Sequence, residues 1–245
     1  MLHSNHPLPS AFPQSSVFSS IRSESDDDRE YAELDAENYA RLGPAHRAIP
    51  ERALALLVTV VIETPVCLMI SGGSASLLTL LRDPKRYALL LGFLPLISAV
   101  SGNVGLQAST LTTRAISHRH VDIHNYCSWL RKELLAAALL AVVIGLCVGL
   151  MALAADMLVC SGQLPLVAHV VFAATVFLSQ AVSIAVAGLT GVCSPLIFTF
   201  FFHRDSGKWA GPLETAIQDI AGTALLIGLT QGILMLATRL GLHVA

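Results

Sequence analysis

The sequence predicts an all-α integral membrane protein with about five transmembrane helices. Of its 245 residues, 54% are hydrophobic and 13% are charged, whereas an ordinary soluble domain carries roughly 25% charged residues. The mean hydropathy of +0.66 agrees with a lipid environment. Five apolar runs complete the prediction: four are close to or above the roughly 20 residues that a helix needs to cross a bilayer, and the second starts apolar and ends polar.

The first 50 residues differ in composition from the rest of the chain. They contain eight of the 17 acidic residues, together with many serines, prolines and histidines. Such a segment has too little apolar surface to form a core. We therefore expect residues 1–50 to form a disordered acidic cytoplasmic tail and residues 51–245 to form a five-helix transmembrane domain.

The apolar runs give approximate bounds for the helices: 53–70, from 87 onwards, 134–158, 164–202 and 211–240. The fourth run is longer than one span, and Gly188, Gly191 and Pro195 suggest an interrupted helix, with a re-entrant turn as the alternative. The last run opens with Gly211 and Pro212. Because proline suits the first helical position, we expect the fifth helix to start there, with Glu214 in its first turn.

The positions of the basic residues predict the orientation. Bases cluster between the second and third runs and between the fourth and fifth, at Arg114, Arg119, Arg131, Lys132, Arg204 and Lys208. Cytoplasmic loops are enriched in Lys and Arg, so an odd number of helices puts the N-terminus inside. One connection disagrees, because Arg82, Lys85 and Arg86 would lie outside.

Polar groups inside apolar helices are the candidates for function, since each is costly in lipid unless it is paired or hydrated. Asp219 leads, and helical spacing places Thr215, Gly222 and Thr223 on its face. Carboxylate and hydroxyl oxygens suit hard cations such as Mg²⁺, which give up their water reluctantly. The sequence therefore predicts a hydrated cation near Asp219, with Mg²⁺ as the first choice and Mn²⁺ or Co²⁺ as alternatives.

The second run becomes polar after Ile97 and supplies a matching surface. Polar side chains recur at helical spacing at Asn103, Gln107, Thr110 and Arg114, beside a ridge of small residues at Ser101, Gly105 and Ser109. Small ridges let helices approach closely. Two alternatives stay open: the amides of this run could only join helices by hydrogen bonds, and Asp219 could be a buried or protonated acid paired with Arg114 or with a backbone group.

Two polar segments carry a family resemblance. The segment Ser-Gly-Asn-Val-Gly-Leu-Gln at 101–107 and the segment Gly-Pro-x-x-Thr-x-x-x-Asp-x-x-Gly at 211–222 resemble the MgtE-type magnesium transporters, including their eukaryotic MgtE-like solute carriers. The resemblance implies a homodimer with a pore at the dimer axis. It also implies that Asp219 holds a hydrated Mg²⁺ ion, that Gly102 and Asn103 line the same pathway, and that Asp205 contributes to metal binding on the cytoplasmic side.

Together these observations predict divalent cation transport through a dimeric pore. In this mechanism oxygens of Asn103 and Thr215 contact the ion's water shell, and Gln107, Gly222, Thr223 and Glu63 line the pore. Glu63 could instead face water near the outer mouth. The protein is expected to lie in the plasma or inner cell membrane, without a nucleic-acid partner.

Other functions have weaker support. The loop histidines His118, His120 and His124 have a spacing that could bind zinc, but neither a cysteine nor a carboxylate cluster completes a four-ligand site. No His-Glu-x-x-His motif, Gly-x-Ser-x-Gly elbow or phosphate-binding loop occurs, so no enzyme is expected. The alternative function is a non-transporting membrane scaffold or assembly subunit, which would leave Asp219 unexplained.

Overall fold

The described part of the protein folds into five long α-helices. The computed structural model describes residues 41, 43, 51–122, 124–160, 164–202 and 206–242, and this part of the chain contains no β-strand. The expected acidic tail lies almost wholly outside the described residues. In chain order the helices are α1 Glu51–Leu81, α2 Pro84–Ser117, α3 Tyr126–Val159, α4 Leu166–Phe200 and α5 Ser206–Arg239.

All five helices are long and apolar enough to cross a membrane, which confirms the predicted fold class. Their lengths run from 31 residues in α1 to 35 residues in α4. At a rise of about 1.5 Å per residue, each exceeds the roughly 30 Å of a hydrocarbon core. The chain is therefore a multi-pass membrane protein.

α1 continues through the Gly/Ser-rich stretch that follows the first apolar run. Its serines are satisfied within the helix: the Ser71 hydroxyl donates to the Leu68 carbonyl at 3.2 Å and the Ser76 hydroxyl to the Gly73 carbonyl at 2.9 Å. These two hydroxyls therefore need no partner outside the helix, which crosses the Gly/Ser-rich stretch without a break.

α4 is one continuous helix, so the predicted interruption is wrong and no re-entrant turn forms. Its glycines serve packing instead. A Cβ atom on Gly188 would collide with Ala137 of α3, and one on Gly191 would collide with Gly105 of α2. Pro195 lies near the helix end, where it removes a single backbone hydrogen bond.

α5 also begins earlier than predicted, at Ser206 instead of Gly211. Pro212 therefore lies inside the helix, where its missing N–H removes one bond to the carbonyl four residues earlier. The expected place of Glu214 in the first turn is likewise wrong. Its side chain lies well inside the helix and is 0% exposed.

α4 occupies the centre of the bundle, where it packs against α2, α3 and α5, while α1 packs chiefly against α5. Small residues allow these close approaches. Ser179, Ser183 and Ala187 of α4 are fully buried, and Gly149 of α3 would clash with Phe177 if it carried a Cβ atom. These small residues of α4 thus form a packing surface.

A buried ion pair joins three helices at the end of the bundle where α2 begins. The Arg86 guanidinium contacts the Asp156 carboxylate at 3.0 Å, and both side chains are 0% exposed. The same guanidinium donates to the Ala168 carbonyl at 2.6 Å and lies over the Phe172 ring. His169 Nδ1 is 2.8 Å from Asp156 Oδ2. The start of α2, the end of α3 and the start of α4 are therefore joined by a buried cluster in which Arg86, Asp156 and His169 have partners.

Asp156→Asn is expected to destabilise the protein, because it leaves the Arg86 charge buried without its counter-charge. Breaking a buried pair in this way costs about 3–5 kcal/mol. The matched control is Asp122→Asn in the exposed loop after α2, where the new amide oxygen can still accept the backbone bonds from His124 and Asn125. Thermal unfolding in detergent should show a large decrease in unfolding temperature for Asp156→Asn and none for Asp122→Asn. Equal unfolding temperatures would contradict the importance of the pair.

Candidate functional site

Two faces of α5 carry polar side chains in the same turns. Glu214 and Gln218 are 0% exposed, whereas Thr215 is exposed and Asp219 is partly exposed. Residues four apart share a face, and consecutive residues differ by about 100° around the axis. α5 therefore directs one acid–amide pair into the protomer and one hydroxyl–acid pair toward its surface.

α2 presents a polar surface of its own. Asn103 and Gln107 are exposed, as are Thr110 and Arg114 further along the same face. Gly102 is buried in the protomer, but a Cβ atom there would meet nothing within 4 Å. Polar side chains in the middle of an apolar helix thus point away from the bundle core.

Three contacts fix the antiparallel register of α2 and α5. A Cβ atom on Gly222 would lie 3.0 Å from Ser98 Oγ, and one on Gly211 would lie 3.6 Å from Leu106 Cδ2. Between them, Gly105 packs directly against the Glu214 carboxyl group. Interpolation along this register places Asp219 level with residues 100–101. The two polar segments therefore lie at the same depth in the bundle.

Glu63 of α1 lies at this depth as well. α1 runs parallel to α5, since Gly73 packs against Ile227 and Gln231 Nε2 donates to Ser76 Oγ at 2.6 Å. The same offset places Glu63 opposite residues 217–218. This position is well inside the helix and not at its end, and the role of Glu63 in the pore or at its outer mouth stays a prediction.

The remaining predicted site residues lie elsewhere. Thr223 is 3% exposed, and Gly222 packs between Ser98 and Ser183, so neither reaches the exposed face that carries Thr215. Their pore-lining role stays a prediction. Asp205 lies outside the described residues.

Arg114 does not neutralise Asp219. It lies roughly 20 Å further along α2 than the turn that faces Asp219, and no ion pair joins the two described side chains. The alternative of a buried Asp219–Arg114 pair is therefore not supported.

The middle of the bundle carries acids and no bases. Glu63, Glu214 and Asp219 lie within about 8 Å of one another along the helix axes, while residues 53–81, 87–113 and 210–238 contain neither Lys nor Arg. Arg86, at the end of the bundle where α2 begins, is already paired with Asp156. This distribution favours a cation over an anion at the level of Asp219.

One described protomer does not assemble a complete metal site. No group of three or more His, Cys, Asp or Glu side chains that could hold a metal ion occurs among the described residues. The loop histidines form no such group either: the centroids of the His118 and His120 rings lie 6.3 Å apart. A single carboxylate beside amide and hydroxyl oxygens suits an ion that keeps its water shell.

The sequence interpretation missed a buried hydrogen-bonded cluster beside this surface. Thr190 of α4 donates to Glu214 Oε1 at 2.7 Å, and Gln218 Nε2 donates to the same oxygen at 3.0 Å. The sequence contained a pattern that indicates this cluster: Glu214 and Gln218 are four residues apart and so share a helix face, next to the face of Thr215 and Asp219. The supposed helix start at Pro212 concealed it.

Comparison with known proteins places the sequence in a family. The model of the MgtE family, described as divalent cation transporters, matches residues 94–229, which include most of α2 and extend into α5. No curated protein matches the sequence. The matched region covers both polar segments on which the resemblance rested, and the resemblance is confirmed. Because the match spans more than half of the chain, the protein belongs to the MgtE family of divalent cation transporters.

Proposed function

We propose that two copies of the chain pack about a two-fold axis and conduct Mg²⁺ between the polar faces of their α2 and α5 helices. A symmetric dimer brings the same surface of each copy to the axis, so one Asp219 per chain becomes a facing pair. The ion passes with most of its water, and its charge is balanced by this carboxylate pair.

The observation that carries the proposal is the exposure of Asn103, Gln107 and Thr215 on the surface of a single protomer in mid-membrane. Lipid tails offer no hydrogen bonds to such groups, so they are costly unless water or another protein surface covers them. A water-filled path at a dimer interface satisfies them all. The absence of bases at this depth makes the path attractive to cations.

The donor chemistry supports Mg²⁺ as the cargo. Mg²⁺ binds oxygen ligands and commonly keeps several waters, using one or two carboxylates. The Asp219 pair supplies that number, and the Asn103 and Thr215 oxygens contact the water shell. The bare Gly102 leaves room for a hydrated ion. Glu63 and Asp205 add negative charge along the route, and Mn²⁺ and Co²⁺ are the competing ions.

The N-terminal end of α1 faces the cytoplasm in this proposal, in a plasma or inner cell membrane. The loop between α2 and α3 lies at that end and carries Arg119. The bases Arg82, Lys85 and Arg86 at the other end argue only weakly against this orientation, since Arg86 is fully buried and neutralised by Asp156.

Asp219→Asn should abolish most Mg²⁺ influx into liposomes loaded with a magnesium-sensitive dye. Losing the carboxylate removes a charged contact, and we expect the rate to fall by about tenfold or more. Glu133→Gln, near the start of α3, is the matched control and should conduct normally. Unchanged influx in Asp219→Asn, with the dimer intact, would sink the paired site and favour the scaffold function.

Cysteine labelling tests the orientation. In a chain that keeps Cys127 alone, a membrane-impermeant maleimide should label inside-out vesicles and not right-side-out ones, because Cys127 is exposed near the start of α3. The control keeps Cys160 alone. Burial and the nearby Asp156 raise the pKa of the Cys160 thiol to about 11, so it should react slowly in either preparation. Labelling of Cys127 from outside would reverse the proposed orientation.

A further inference from the structure

Three helices meet at a buried polar cluster formed by Glu214, Gln218, Thr190 and Gly105. Gln218 Nε2 lies 3.0 Å from both Glu214 Oε1 and Thr190 Oγ1, and the Thr190 hydroxyl donates to Glu214 Oε1 at 2.7 Å. Glu214 and Gln218 are 0% exposed. The cluster thus joins α4 to α5 by hydrogen bonds in the interior of the protomer.

α2 enters the cluster through a glycine. A Cβ atom on Gly105 would lie 2.8 Å from Glu214 Cδ, a separation that side chains do not adopt. Gly191 of α4 has no room for a Cβ atom, because the Gly105 carbonyl oxygen lies where that atom would be. Any turn or slide of α5 would therefore push Glu214 against the backbone of α2 or pull it away from Thr190.

The cluster lies next to both polar segments of the candidate pathway. On α5, Glu214 directly precedes Thr215, and Gln218 directly precedes Asp219. On α2, Gly105 lies midway between Asn103 and Gln107. Holding one face of a helix inward determines where the neighbouring face points, because consecutive side chains differ by about 100°.

We propose that Glu214, Gln218 and Thr190 are positioning residues that set the rotation of α5, so that Asp219 and Thr215 face the cation path. Through Gly105 they also set the register of α5 against Asn103 on α2. This inference rests on the proposed transport function, and it assigns Glu214 no direct contact with the ion. Its enclosed carboxyl group, whose Oε1 accepts two hydrogen bonds, fits a role in positioning.

The first test compares Glu214→Gln with Glu214→Leu. The glutamine keeps the shape, and its carbonyl oxygen can accept both hydrogen bonds, whereas leucine accepts none. We expect Glu214→Leu to raise the half-saturating Mg²⁺ concentration roughly tenfold, as for the loss of buried hydrogen bonds, and Glu214→Gln to stay within about twofold of the wild type. Gln218→Leu provides a second disrupting variant if the first does not fold.

A matched control separates positioning from general loss of stability. Gln180 on α4 is also a 0% exposed amide, but neither of its side-chain polar atoms has a hydrogen-bond partner in the described structure. Gln180→Leu should leave the half-saturating concentration unchanged, while Gln218→Leu raises it. Equal effects of the two substitutions would overturn the inference.

A second readout does not depend on transport. Thr215→Cys, in a chain whose five native cysteines are replaced, should react with a water-soluble thiol reagent in liposomes. Adding Glu214→Leu should slow this labelling about tenfold as α5 turns, and adding Glu214→Gln should not.

The outcomes separate the two proposals. Unchanged labelling and unchanged half-saturation in both disrupting variants would overturn the positioning role. So would a loss in Glu214→Gln as large as that in Glu214→Leu, because the charge itself would then act. A Thr215→Cys variant that resists labelling when Glu214 is intact would instead overturn the water-filled path, and the inference with it.

Discussion

The inability of lipid to hydrogen-bond polar groups is the constraint on which this structure depends. Every polar side chain in the middle of the bundle must be satisfied by another protein group, by water or by an ion. Inside the protomer the structure uses the first solution where Arg86 meets Asp156 and Glu214 meets Thr190. The Gln180 amide, Glu214 Oε2 and Gln218 Oε1 have no protein hydrogen-bond partner among the described residues. The exposed amides of α2 and the partly exposed Asp219 remain for the other two solutions.

This division explains why small residues recur where they do. Gly105, Gly149 and Gly188 let backbones approach so closely that added side chains would collide. In a membrane, where helices gain little from burying apolar surface, such contacts and interhelical hydrogen bonds provide the association energy. Gly105, which permits the close approach of α2 and α5, lies within one of the two polar segments, so packing and the candidate pathway share residues.

The hydropathy of the sequence was sufficient to predict five spans and a membrane location, but not the helix ends. Gly188 and Pro195 suggested a break in α4, and Pro212 suggested the start of α5. In the fold the glycine fills a contact with Ala137, and both prolines lie inside continuous helices. A glycine that breaks a helix and one that admits a neighbouring helix look the same in one sequence, because the neighbour is not visible there.

Sequence by itself determined the class of the protein, its polar segments around Asn103 and Asp219, and the family to which it belongs. These properties depend on local composition and spacing, which a linear chain displays directly. The tertiary structure alone decided that Glu214 and Gln218 turn inward and that Arg86 pairs with Asp156, 70 residues away. Those contacts depend on helix rotation and register, which are set by packing between distant segments. The i, i+4 spacing of Glu214 and Gln218 shows that the two share a helix face, but not which way that face points.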